Sequence, residues 1–315
     1  MTIMSMKSKI YLAAALALIL AACNKNRETV VPEDGTVAAK ISAEIGGVRT
    51  RAAGNEWAQN DVIGISTVDG TKTLYANIPY KYSGTAFQAD GAGIYFQSRE
   101  EVTFNAYYPF TGAAGTSAGT IAANTGTENQ SAPAQACIDF LFAAGAKAKT
   151  DSPVVAFTDK SSAGGPDNSF KHRMSQITLK LIEGDDMTFA DKLSGYTIKG
   201  LLLDGTFDRE TGIASVRADS ETDDLSMPLS DVTTTEKTYT TAPVILFPQA
   251  VSNEKIVLEV VVDGITYTAS LSLGALDAGS NYIFPVTVRK TGMSAGEAEI
   301  TPWTIVEGAP ADAIM

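Results

Sequence analysis

Apolar residues along this 315-residue chain occur in short runs of strand length, separated by Gly, Asn, Asp and Pro. The runs either alternate apolar with polar side chains or are continuously apolar, and almost none has the spacing of an amphipathic helix. We therefore predict an all-β protein. The predicted strands cover residues 37–45, 62–67, 73–82, 94–96, 102–108, 176–182, 196–203, 214–217, 244–247, 255–262, 265–273 and 282–290.

The clearest local element is a hairpin formed by residues 255–262 and 265–273. Asp263-Gly264 joins the two strands, and Asp-Gly suits the left-handed backbone of a type I′ turn.

Two composition shifts interrupt the strand pattern. Residues 111–135 are dominated by Gly, Ala, Thr, Ser and Asn, which have little to bury, so we predict a long surface loop. Residues 144–153 form the second shift, and the length of the chain allows two cores. We therefore predict an N-terminal domain over 52–150 and a C-terminal domain over 151–315.

The start of the chain has the pattern of an export signal. Lys7 and Lys9 precede an apolar run over residues 10–20, which is too short for the roughly 20 residues that span a bilayer. Leu20-Ala21-Ala22-Cys23 follows, and bacterial lipoprotein signals look like this. We expect a signal peptide over 1–22 and lipidation of Cys23; the alternative is an ordinary signal peptide with a chance cysteine.

Cysteine and charge limit the possible functions. After signal removal, Cys137 is the only thiol besides Cys23, so no internal disulfide framework is expected. The single histidine, His172, argues against most metal sites, and we predict no cofactor. The net charge is −12, and loss of Lys7 and Lys9 leaves about −14. Nucleic acid and anionic lipid surfaces are therefore poor partners.

One catalytic motif is present in the wrong setting. Residues 115–119 match G-x-S-x-G, but a nucleophile elbow needs a buried strand before the serine and a helix after it, and these flanks are small and polar. His172 is interpreted as a structural residue, and we predict that the protein is not an enzyme.

Several separated blocks resemble the fimbrillin family of type V pilins, whose subunits are two-domain β-sandwiches. The blocks are Arg49-Thr50-Arg51-Ala52 with Trp57, then residues 60–65, 102–110, 139–143, 170–177, 276–284, 291–293 and 300–303. The resemblance implies two tandem β-sandwich domains of transthyretin-like Greek-key topology.

The resemblance also implies a maturation route. The family is exported as a lipoprotein and cut by an arginine-specific protease after its first strand. Here Arg49 and Arg51 follow a predicted strand with apolar odd positions, so cleavage would remove residues 23–51 together with the lipid. The alternative for both arginines is a pair of solvated loop charges. A lost strand exposes unpaired backbone groups, which a strand from a neighbouring subunit can fill.

In the family the donated strand comes from the C-terminal region. The candidate segment is 299–315, with apolar residues Ile300, Trp303, Ile305 and Val306. The alternative is that residues 300–306 are simply the last strand of the C-terminal domain.

We therefore predict a structural pilin subunit of a surface fimbria. Adhesion is its expected purpose, and the stalk, tip and anchor roles are left open. The expected partners are copies of itself, other fimbrial subunits, the maturation protease, outer-membrane lipid through Cys23, and a host or bacterial surface receptor. The expected location is first the outer membrane and then the cell-surface fimbria. The alternative is a surface glycan-binding lipoprotein, which would need Trp and Tyr on loops; the two tryptophans, Trp57 and Trp303, both fall inside the blocks above.

Overall fold

The computed structural model describes residues 36–46, 56–116, 119–251 and 255–303. Strands dominate these residues, which confirms the all-β prediction. The strands before residue 173 are β1 (Val37–Ala38), β2 (Lys40–Ala43), β3 (Val62–Thr67), β4 (Ile78–Tyr82), β5 (Phe87–Ala89), β6 (Tyr95–Phe96), β7 (Val102–Tyr108), β8 (Thr120–Asn124), β9 (Leu141–Ala148), β10 (Val154–Phe157) and β11 (Lys171–His172).

The remaining strands lie after residue 173, and no α-helix is found among the residues that the structure describes there. They are β12 (Ser175–Glu183), β13 (Leu193–Leu202), β14 (Asp204–Asp208), β15 (Ala214–Val216), β16 (Thr222–Pro228), β17 (Thr238–Thr240), β18 (Val244–Leu246), β19 (Gln249–Ala250), β20 (Lys255–Val262), β21 (Ile265–Ser272), β22 (Ala275–Leu276), β23 (Ser280–Arg289), β24 (Gly292–Ala295) and β25 (Glu299–Pro302).

The first half is organised around an eight-stranded sheet in the order β10-β2-β5-β4-β3-β7-β9-β11. Its core contains alternate residues of several strands, among them Ile63 and Ile65 of β3 and Phe104 of β7, all fully buried. Strand β10 lies beyond residue 150 but pairs in parallel with β2 in this sheet. The division into domains at 150 and 151 stays a prediction.

The second half is a sandwich of two sheets that share one core. One sheet has the order β17-β12-β23-β24, with β18 also on β12 and β25 also on β23, and the other has the order β16-β13-β20-β21. Leu179 and Phe284 of the first sheet pack in one cluster with Ile198 and Leu258 of the second. The predicted hairpin is confirmed: Asp263 and Gly264 have φ values of 54° and 73° between β20 and β21.

A third cluster of buried residues, rich in aromatic rings, contains residues from both halves of the chain. The rings of Phe140 and Phe207 stack with centroids 4.7 Å apart, and Phe247 and Trp303 belong to the same cluster. This packing places the last described residue, Trp303, beside the first half of the chain.

The predicted surface loop over 111–135 is wrong in its second part. Strand β8 pairs with β14, and helix α1 (Ala132–Ile138) follows a 3₁₀ turn at Thr127–Asn129. Ser131 occupies the N-cap position of α1, with proline in the first turn, where its missing N–H costs nothing. Of β8, Ile121 and Ala123 pack against the third cluster, whereas Ala122 is exposed.

Candidate functional site

The first strand segment, β1 and β2, has backbone hydrogen bonds on both sides. The Ala39 N–H donates to the Ile94 carbonyl at 2.9 Å. On the other side the N–H groups of Lys40 and Glu44 donate to the carbonyls of Pro153 and Phe157 at 2.8 and 2.9 Å. We call the space that residues 37–46 occupy between β10 and the β5–β6 edge the strand slot.

Side chains of the segment alternate between the core and the surface. Ile41 is 9% exposed, and Ala39, Ala43 and Ile45 pack beside it on the first core. Lys40 and Ser42 are exposed. A cavity of about 460 Å³ lies along the same segment, and its lining includes Tyr80, Phe87 and Ile94. The slot therefore accepts a strand with apolar residues at alternate positions.

Trp57 contacts the segment from outside the sheet ladder. Its indole N–H donates to the Ala43 carbonyl at 3.0 Å. The ring meets those of Phe87, Phe170 and Tyr108 edge-on, with centroids 5.2, 5.0 and 5.6 Å away. Burial and the adjacent Asp61 carboxylate raise the pKa of Tyr108, so its hydroxyl stays protonated and donates to Asp61.

The segment leaves the slot at Gly46, beside a small polar cluster. The Gly46 N–H donates to the Phe170 carbonyl at 2.7 Å. A Cβ at this position would lie 2.3 Å from Ser169 Oγ and 2.4 Å from Lys171 Nζ. Lys171 pairs with Asp167. Partial burial raises the pKa of Asp167, but hydrogen bonds from Lys171 and Ser169 outweigh it and lower that pKa overall.

The structure describes only two of the residues predicted to mark the site. Cys23, Arg49, Arg51, Ile305 and Val306 lie outside the described residues, so their roles stay predictions. The two that are described, Ile300 and Trp303, lie in and directly after the last strand.

Ile300 and Trp303 differ sharply in environment. Ile300 is 61% exposed on β25, opposite Tyr282 of β23. Trp303 is 4% exposed and stacks on His172 with centroids 4.4 Å apart and ring planes 7° apart. The backbone N–H of Trp303 also donates to the Gly279 carbonyl at 2.8 Å.

His172 is buried and packs on Trp303 of the third cluster. Its Nδ1 lies 2.8 Å from Asp139 Oδ1. Ser117 of the G-x-S-x-G motif lies outside the described residues. Within the described ranges there is no group of three metal-donor side chains, and no helix there is long and apolar enough to cross a membrane.

Both tryptophans of the chain have intramolecular ring partners. Trp57 is half-buried among three aromatic rings, and Trp303 is stacked on His172. Trp303, 4% exposed and stacked on His172, therefore offers no open ring face to a sugar.

Sequence reasoning missed two components of the slot. Strand β10 was not predicted, although Val154-Val155-Ala156-Phe157 is a short apolar run after a proline, which is a recognisable strand signal. The contact between Trp57 and Ala43 had no sequence signal, because it joins a loop side chain to a main-chain carbonyl 14 residues away.

Comparisons with known proteins agree with the architecture. A family model described as fimbrillin-like matches residues 50–303. A proposed cell adhesion protein from Bacteroides ovatus is 30% identical, with a TM-score of 0.73 over 86% of this chain and 99% of that chain. Among curated proteins no sequence matches significantly.

Two more distant crystal structures share the fold. A proposed cell adhesion protein from Bacteroides uniformis is 22% identical, with a TM-score of 0.63 over 86% of this chain and 100% of that chain. A fimbrial protein from Bacteroides vulgatus is 14% identical, with a TM-score of 0.52 over 85% of this chain and 99% of that chain.

Proposed function

Since this chain belongs to the fimbrillin-like family, we propose that it is a subunit of a surface fimbria that assembles with copies of itself and with other fimbrial subunits. Its role is structural and non-enzymatic. Adhesion is the purpose we assign to the assembled fibre, in line with the cell adhesion role proposed for the Bacteroides ovatus relative.

The single observation that carries this proposal is the two-sided bonding of residues 37–46 just ahead of Arg49 and Arg51. Cleavage after either arginine would leave this segment held by non-covalent contacts alone. Its departure would expose unpaired backbone groups of β10 and the β5–β6 edge together with apolar core, and both are costly in water. A strand from another subunit would restore both kinds of contact.

We place the donated strand at the C-terminal end of the chain. Ile300 and Trp303 are held within the protein's own fold by β23 and His172, so the proposed donor residues are Ile305 and Val306, which follow them. Trp303 would then anchor the base of the donated segment.

Before cleavage, the proposed attachment is a lipid on Cys23 in the outer membrane. The arginine-specific protease would release the subunit from that lipid and open the strand slot in one step. This order would keep subunits from polymerising before they reach the surface.

The test uses purified, non-lipidated protein treated with an arginine-specific protease. N-terminal sequencing should give a new terminus at Thr50 or Ala52, and electron microscopy should show fibres that form in a concentration-dependent way. The control is the double variant Arg49→Lys and Arg51→Lys, which keeps both charges and should stay uncut and monomeric. A wild-type chain that is cut and still stays monomeric would overturn the strand-donation proposal.

A further inference from the structure

An arginine-specific protease meets further arginines beyond Arg51. They are Arg99, Arg173, Arg209, Arg217 and Arg289. Four of them are held by bonds of their own backbone: the N–H groups of residues 173, 209 and 217 donate to backbone carbonyls, and Arg289 is paired with Gly292 of β24. Arg99 is exposed in the loop between β6 and β7, and exposed loops are where proteases cut most readily.

Residues 94–100, which we call the Arg99 segment, depend on the first segment for a strand partner. Strand β6 pairs with β1 in a sheet of two strands. In addition, the N–H groups of residues 94, 95 and 97 donate to the hydroxyls of Tyr80, Tyr75 and Thr73 at 2.9, 3.1 and 3.0 Å. Departure of the first segment therefore removes the ladder and leaves side-chain hydrogen bonds to hold the Arg99 segment.

Glu100 fastens the end of this segment to residues 71–73. Its Oε1 accepts hydrogen bonds from the backbone N–H groups of Thr71, Lys72 and Thr73 at 3.1, 3.0 and 3.3 Å, and its Oε2 accepts from the Thr71 hydroxyl at 2.8 Å. These bonds, the one from Lys72 foremost, lower the pKa of Glu100 to about 2, so the carboxylate stays ionised at neutral pH. Hydrogen bonds to an ionised acceptor are about twice as strong as neutral ones. We call these four bonds the Glu100 clasp.

We propose that the Glu100 clasp closes the exposed Arg99–Glu100 bond to the maturation protease. The inference rests on the proposed function, in which an arginine-specific protease matures the subunit. A protease cuts a folded segment from its transiently opened state, and when opening is fast the rate follows the population of that state. Opening this bond requires residue 100 to leave residues 71–73, which breaks all four bonds together.

The clasp matters most while the strand slot is empty. In that state β6 has lost β1, and the edge of the slot consists of β5 and the Arg99 segment. A cut after Arg99 would leave a free chain end in that edge, where an incoming strand has to find its backbone partners.

The test treats the purified, non-lipidated chain with an arginine-specific protease and follows, by mass spectrometry, the fragment that begins at residue 100. We expect Glu100→Ala to release this fragment at least about tenfold faster than wild type, since the clasp then no longer opposes opening. Synthetic peptides of residues 95–104, with and without the substitution, measure the protease's own preference at this position. Only acceleration beyond that preference counts for the clasp.

Glu101→Ala is the matched control. Glu101 is the next residue along the chain, but its carboxylate pairs with Lys147 at 3.5 Å and takes no part in the clasp. After the same peptide correction, this variant should be cut after Arg99 at the wild-type rate. Wild type cut there as fast as Glu100→Ala, or equal acceleration in Glu101→Ala, would overturn the inference.

A second variant leaves the sequence around the cut unchanged. Thr73→Val removes the hydroxyl that accepts from the Gln97 N–H and keeps a side chain of similar size at a fully buried position. We expect faster cutting after Arg99, by a smaller factor than for Glu100→Ala. Cutting after Arg173 should stay at the wild-type rate in every variant, and equal acceleration there would mean general destabilisation and contradict the inference.

The background of Arg49→Lys and Arg51→Lys separates this inference from the proposed function. There the first segment stays in the slot and β1 still pairs with β6, so Glu100→Ala should accelerate cutting after Arg99 by a clearly smaller factor. An equal factor in both backgrounds would overturn the role assigned to the empty slot. Failure of wild type to be cut after Arg49 or Arg51 would count against the proposed function, and the Arg99 rates of these variants would still report on the clasp.

Discussion

The first and the last strands of the described chain are held in opposite ways. Residues 37–46 have backbone partners on both sides, in β10 and at the β5–β6 edge, and several of their side chains, Ala39, Ile41 and Ala43, contact the first core. The last strand, β25, pairs only with β23. The large buried side chain at its end is Trp303, which stacks on His172.

The difference shows what each strand can do when it moves. Removing an interior strand opens a slot with two unpaired edges and an apolar floor, which only another strand can fill. Releasing an edge strand exposes one row of backbone groups, which water can satisfy. The first segment is thus suited to being replaced, and the last one to holding whatever follows it.

The largest expected effect concerns the anchor of the last strand. Trp303→Ala removes a nearly fully buried ring, so we expect a loss of about 3–5 kcal/mol in the free energy of unfolding. Ile300→Ala, on the same strand but largely exposed, should cost under about 0.5 kcal/mol. Urea denaturation of both variants measures this, and similar losses would mean that β25 is held along its length.

The first segment should respond in a more distributed way. Ile41→Ala deletes a buried side chain beside an existing cavity, and we expect a cost of about 2–3 kcal/mol. Ser42→Ala, at the neighbouring exposed position, should change stability by under about 0.5 kcal/mol. Thermal or urea unfolding gives both values, and a near-zero cost at Ile41 would show that the slot binds its strand by backbone bonds alone.

The smallest effect on stability should come from two charged groups, Asp167 beside the end of the first segment and Glu299 on the last strand. Hydrogen bonds lower the pKa of Asp167 below its usual 3.8 despite partial burial, so its stabilising effect is present above about pH 4 and is lost as pH falls through the lowered pKa. Asp167→Asn should therefore be slightly less stable than wild type at pH 7 and match it at low pH.

The variant to compare with it changes Glu299 of the last strand. Its carboxylate lies 3.9 Å from the Nζ of Lys180 on β12, and both side chains are exposed. Glu299→Gln should have no measurable effect, because exposed ion pairs contribute about 0–1 kcal/mol and are screened by salt. Unfolding midpoints at pH 7 and at low pH test both variants, and a pH-independent difference at Asp167 would contradict the assignment.

Strands with full-sized alternating side chains could be read from the sequence. The predicted bounds of β3 and β7 match the structure, and the Asp263-Gly264 turn lies where its backbone preference requires. The prediction over 73–82 was too long at its start, because the left-handed backbone of Asn77, with φ of 52°, ends the strand before Ile78.

Strands built from small residues could not be read in the same way. Leu141–Ala148 is strand β9, yet its second half consists of Ala, Gly and Lys and interrupts the apolar pattern. Ala146 and Ala148 are buried because β7 beside them supplies Phe104 and Val102, the residues opposite them, to the same core. Burial of this kind depends on the neighbouring strand, so no local pattern reports it.

By itself the sequence determined the fold class, the principal hairpin and the family, because side-chain alternation and turn preferences are local properties. Only the tertiary structure decided that β10 pairs with β2, that the Trp57 indole donates to the Ala43 carbonyl, and that Trp303 is buried while Ile300 is exposed. Each of these contacts joins residues whose closeness depends on how the sheets fold together, and the spacing of residues along one segment does not encode it.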